Sequence, residues 1–107
     1  MDKKKKTHQW IVPEDHPFFK GHFPGDPVLP SIALIEQCFE LIKNGSEQEL
    51  HLVQIHKAKF KEVVRPGDIL QFHLEQSALN IWPVKVKNQL LKEVAQLKLE
   101  LGQAQLT

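Results

Sequence analysis

Five of the chain's seven prolines, Pro13, Pro17, Pro24, Pro27 and Pro30, fall within one stretch that also holds Gly21 and Gly25. Proline removes an N–H and glycine removes restraint, so 13–30 can be neither a helix interior nor a central strand. It predicts an ordered loop of turns, with Phe18, Phe19 and Phe23 available to pack it. A loop that long in a 107-residue chain is a candidate functional element.

The stretches on either side read regularly. Thr7 to Val12 alternates as a short strand that Pro13 closes. A helix is predicted from Pro30 or Ser31, where Ser31 can cap free N–H groups, to the Asn44-Gly45 stop. Ile32, Ala33, Leu34, Ile35, Cys38, Phe39, Leu41 and Ile42 cover most of its circumference, which predicts a buried helix with Glu36 in apolar company. Further strands are predicted at Leu50 to Val64, Ile69 to Ser77, Ile81 to Val86 and Val94 to Leu101, with a turn at Arg65-Pro66-Gly67-Asp68. Leucine content leaves helix as a competing reading of 89–101. One apolar helix followed by strands at hairpin spacing describes an α+β domain over 1–107, an antiparallel sheet wrapped around a central helix, the pattern of a hot-dog fold.

Composition narrows the functions. The formal net charge is +1, which disfavours nucleic acid as a partner, and the basic run ending at Lys6 is predicted to be a flexible tail over 1–6. No apolar run reaches the roughly 20 residues of a membrane span, and no apolar segment follows the N-terminal lysines, so a cytoplasmic protein without membrane insertion is expected. The one cysteine, Cys38, excludes an intrachain disulfide and reads as a core residue. A core this small favours a homodimer or higher homo-oligomer.

His22 in the loop and Glu36 on the helix are the candidate acid–base pair. An imidazole titrates near pH 6.5, at about the value proton transfer needs, and apolar surroundings raise a carboxyl toward the same range. With free N–H groups at the helix start to hold an oxyanion, such a pair suits removal of a proton beside a carbonyl and loss of a β-hydroxyl as water. On the residues alone a second reading stays open, with His22 capped in the loop and Glu36 facing solvent. His8, His51, His56 and His73 fall on strands and read as structural or exposed, and His16 as fixing the turn before Pro17. No metal-ligand spacing and no phosphate-binding glycine loop occurs.

The stretch from His16 to Ser31, with Glu36 fourteen positions after His22, resembles the signature Gly-His-Phe-Pro-x-x-Pro-x-x-Pro-Gly of the FabZ/FabA-like β-hydroxyacyl-acyl carrier protein dehydratases. Lys57-Ala58-Lys59-Phe60-Lys61 and Val64-Arg65-Pro66-Gly67-Asp68 are similar to that family's basic strand and turn. The resemblance implies a hot-dog dimer without metal or redox cofactor, in which His22 of one chain and Glu36 of its partner dehydrate a 3-hydroxyacyl thioester to the trans-2-enoyl thioester. The substrate would ride on the phosphopantetheine of acyl carrier protein, in fatty-acid or related lipid, polyene or polyketide synthesis. Phe23, Pro30 and Ser31 would bind it, the Ser31 N–H holding the thioester carbonyl. Lys57, Lys59, Lys61 and Arg65 are candidates for docking the acidic carrier, and a solvated sheet face is the other reading of that alternation. Two features depart from the family: Ser31 replaces its glycine, and the N-terminus lacks its usual first helix and extended strand. A hot-dog acyl thioesterase and a non-catalytic acyl-carrier-binding module are the rival readings.

Overall fold

The computed structural model describes residues 5–19 and 27–103. Strand β1 (Lys5–Ile11) leads through a 3-10 turn at Pro17–Phe19 to the helix α1 (Ser31–Asn44), followed by β2 (Leu50–Phe60), β3 (Ile69–Glu75), β4 (Ile81–Lys87) and β5 (Glu93–Gln103). The strands form one antiparallel sheet in the order β1-β3-β4-β5-β2. This is the predicted α+β hot-dog arrangement, one helix against a five-stranded sheet.

Period-2 alternation builds the inner face. Leu70, Phe72 and Leu74 of β3, Trp82, Val84 and Val86 of β4, and Ala95, Leu97, Leu99 and Leu101 of β5 are buried with Ala33, Leu34, Ile35, Cys38 and Ile42 of α1 in a single core. Of the 89–101 segment, 89–92 form the turn after β4 and the rest is strand rather than helix, because its alternate leucines meet that core while its backbone pairs with β4 and β2 together. The β3–β4 ladder stops at Leu74 and Val84, one residue short of Pro83, which has no N–H to give.

Four local expectations are corrected. Strand β1 starts at Lys5, so Lys5 and Lys6 are not tail residues: they pair in register with Glu75 and Leu74. The Lys6 Nζ reaches Gly45 at the end of α1, where a Cβ would lie 3.0 Å from it. The helix is capped by Pro30, extended at φ −66° and ψ 152°, and Ser31 is its first helical residue with no side-chain cap. In the single chain α1 is buried on one side only, because the sheet covers one side; Ile32, Glu36 and Glu40 form an exposed stripe.

Strand β2 is the fourth correction. It ends at Phe60 rather than Val64, since the Lys61 and Glu62 N–H groups turn in to the Val94 carbonyl. Register shifts between Leu52 and Gln54 and between Ile55 and Lys57 break its simple alternation. Ile55 therefore pairs with Leu99 and joins Leu52, Ala58 and Phe60 on the inner face, while Lys57 and Lys59 pair with Lys98 and Gln96 on the outer face.

Candidate active site at the start of the helix

The proline-rich loop is fastened at both described ends. At its entry Val12 N–H donates to the Asp68 carbonyl (2.9 Å) and Gly67 N–H to the Val12 carbonyl (2.8 Å), which ties the loop to the Arg65–Asp68 turn. Gly67 has φ +85°, the left-handed conformation that a Pro-Gly turn requires at its third position. Asp68 Oδ2 accepts the Arg65 N–H (2.9 Å) and closes the turn.

His16 organises the next residues. Its Nδ1 accepts the Phe18 N–H (3.2 Å), its ring stacks on Phe18 (5.3 Å), and Trp10 and Phe19 meet it edge-on at 6.0 and 6.1 Å. The bond makes Nδ1 an acceptor, so His16 serves the turn, as its place before Pro17 suggests. His22 and Phe23 lie outside the described residues.

At the exit, Leu29 is buried and its N–H donates to the Val64 carbonyl at 2.7 Å, which joins the start of α1 to the segment leaving β2. Between these two runs lies a cleft of ≈ 310 Å³, lined by Val28, Pro30, Ser31 and Leu34 on one side and by Phe60, Lys61 and Val63 on the other. The structure thus brings Pro30, Ser31 and Lys61 together. Phe60 and Val63 were not singled out from the sequence, because alternation alone reads them as ordinary strand residues. Glu36 stands one and a half turns into α1 on the exposed stripe, without the apolar company predicted for it in the single chain. Ile32 beside it is 54% exposed, and Ile55, Phe60 and Val63 across the sheet edge are 39%, 38% and 52% exposed.

The lysines divide. Lys61 Nζ lies 2.7 Å from Glu93 Oε2, and this ammonium, followed by the Gln96 amide, holds the Glu93 carboxyl below its ordinary value. Lys57 donates to Gln96 Oε1 (2.8 Å) on the outer face, where the register adds Lys85 and Lys98 to Lys57 and Lys59. That basic face is assembled from three strands, so β2 alone could not reveal it. Arg65 sits apart, in the turn that holds the loop entry. Cys38 is fully buried and burial pushes its thiol up to about 12, which removes it as a nucleophile. Among the described residues no three His, Cys, Asp or Glu side chains gather where they could hold a metal ion, and no helix is long and apolar enough to cross a membrane.

Known proteins resemble this chain in sequence and in fold. The chain is 38% identical over 87 residues to the 3-hydroxyacyl-[acyl-carrier-protein] dehydratase FabZ of Lactobacillus helveticus, covering 73% of this chain and 59% of that one. It is 43% identical over 65 residues to the FabZ of Pediococcus pentosaceus, covering 54% and 44%. The matched stretches thus span about half the length of these curated relatives. The dehydratase heterocomplex ApeI:P from Xenorhabdus doucetiae shares the fold, with a TM-score of 0.81 at 19% identity over 94% of both chains. Residues 1–99 match the sequence model of the ApeI-like family, described as ApeI dehydratase, and the chain belongs to that family.

Proposed function

We propose that this chain dehydrates a 3-hydroxyacyl thioester carried on the phosphopantetheine of an acyl carrier protein and releases the trans-2-enoyl thioester. The observation that carries the reading is the His16–Ser31 loop signature with Glu36 fourteen positions after His22, in a chain whose family match extends over 1–99. The His22 imidazole takes the proton from C2, and charge builds on the thioester oxygen. The Ser31 N–H at the start of α1 holds that oxygen. As the C2–C3 double bond forms, the C3–O bond breaks and Glu36 protonates the departing hydroxyl, which leaves as water. Return of one proton from His22 to Glu36 through solvent resets the pair. No metal or redox cofactor enters this scheme, which belongs in the cytoplasm.

Glu36 acts on the site of a second copy. Ile32 on the exposed stripe of α1, the uncovered inner residues Ile55 and Phe60 of edge strand β2, and Val63 just beyond that strand are apolar and exposed, and a long apolar edge is a surface that soluble proteins cover. Pairing of two β2 edges in a homodimer would cover it and bring Glu36 to the partner's loop. Sedimentation of the pure chain distinguishes this from a heterocomplex of the Xenorhabdus kind.

Incubation with matched 3-hydroxyacyl and plain acyl thioesters tests the chemistry. Enoyl product from the first supports dehydration, whereas free thiol from either marks a thioesterase. His22→Ala should remove the enoyl product; an unchanged rate would sink the role of His22. No product from the wild-type chain with carrier-bound substrates would favour a non-catalytic acyl-carrier-binding module.

A further inference from the structure

We infer that Ser31 restricts the proposed dehydration to acyl groups without a substituent at C2, an inference that rests on the reading of the cleft given above. Ser31 is the first residue of α1, and its side chain is exposed and is not used to cap the helix. It lines the cleft together with Phe60 and Val63 of the facing wall, and Leu29, Leu34 and Val64 complete the apolar lining. At ≈ 310 Å³ the cleft is small, near the lower end of the roughly 300–1,000 Å³ found for ligand pockets.

Elementary geometry then places the Ser31 side chain. A carbonyl oxygen held by the Ser31 N–H sits about 2.9 Å from that nitrogen. The Ser31 Cβ is two bonds from the same nitrogen, and C2 of the acyl group is two bonds from the same oxygen. The thioester sulfur is likewise two bonds from that oxygen, and in the pose that turns C2 toward the helix a methyl on C2 meets the serine Cβ and hydroxyl. Phe60 and Val63 stand on the other side of the cleft and limit movement of the acyl group in that direction. A 2-methyl-3-hydroxyacyl thioester keeps one C2 proton and one hydroxyl and remains chemically competent. Its exclusion is a matter of fit.

The test compares 3-hydroxybutyryl and 2-methyl-3-hydroxybutyryl pantetheine thioesters with the wild-type protein, Ser31→Gly and Ser31→Val. Non-reacting butyryl and 2-methylbutyryl pantetheine amides are titrated in parallel by calorimetry. One methyl group in a close-fitting pocket is worth about 10- to 200-fold, so the wild type should prefer the unbranched substrate by at least about tenfold in kcat/KM. Ser31→Gly should bring the two substrates within about threefold, and Ser31→Val should slow the unbranched one as well. The amide affinities should follow the same order. A wild-type ratio retained by Ser31→Gly, with an unchanged melting temperature, overturns the inference. If no variant dehydrates either thioester the dehydratase reading fails, and the amide affinities alone then decide the role of Ser31.

Discussion

Leu29 N–H donates to the Val64 carbonyl at 2.7 Å, a bond between residues thirty-five positions apart that closes one end of the cleft beside Ser31. The Leu29 side chain is buried under it. Leu29→Ala leaves the backbone bond in place but removes the side chain packed beneath it, and should cost about 2–4 kcal/mol of stability in denaturant unfolding, as buried leucine truncations do. Turnover should fall further than the unfolded fraction explains, because that side chain packs where the start of α1 meets the segment leaving β2. Equal losses in both would reduce Leu29 to a core residue.

Glu36 and His22 of one chain should belong to different sites. His22→Ala and Glu36→Gln chains are each expected to be inactive alone. After the two are unfolded together and refolded, half of the dimers should be mixed, and each mixed dimer holds one intact site of two. Activity should return to about a quarter of the wild-type level. Recovery near zero would place Glu36 in the same site as its own His22.

The outer-face lysines can be separated from the chemistry. Reversing Lys57, Lys59 and Lys98 to Glu should lower kcat/KM for a carrier-borne substrate and flatten its salt dependence, since surface charges of this kind act mainly on association. A pantetheine thioester should be turned over as before. Equal loss on both substrates would argue for a solvated face with a structural role.

Lys6 places its ammonium at the carboxyl end of α1, beside Gly45. A cation there offsets the partial negative charge of the last carbonyls, an effect of about 0.3–1 kcal/mol. Lys6→Glu should lower the melting temperature at low salt, and added salt should shrink the difference. Lys5→Gln, on the opposite face of β1, should change it less.

Cys38 supplies a pH signature. Its thiol rises from 9.0 when exposed to about 12 in the fold, so between these values the unfolded chain has lost the proton that the folded chain keeps. Stability from this group is complete below pH 9 and is lost as pH rises toward 12. Cys38→Ala should lose core packing at neutral pH and show a shallower alkaline decline in urea midpoints. Slow alkylation of the wild type in native buffer and rapid alkylation in urea would confirm the burial.

Much of this fold is legible along the chain because its signals are local. Prolines keep 13–30 from being a helix interior or a central strand whatever surrounds them, Asn44-Gly45 ends a helix by backbone preference, and alternate leucines from Leu97 to Leu101 choose a strand once a core lies on one side. The loop motif and the fourteen-residue interval to Glu36 are also purely linear. The bulges of β2 are not: they reflect how an edge strand fits β5, and they moved Ile55 to the inner face against the plain alternation. Lys6 looked like a tail because nothing near it in sequence announces the end of α1.

The amino-acid sequence by itself determined the kinds of element and the residues able to move protons, since backbone restriction, period and motif spacing act within a few residues. Only the tertiary structure decided which residues share a space: Ser31 with Phe60 and Val63, Lys57 with Lys98, and Glu36 on the uncovered side of its helix. Those meetings depend on register and packing between distant segments, and each is set by the whole core at once.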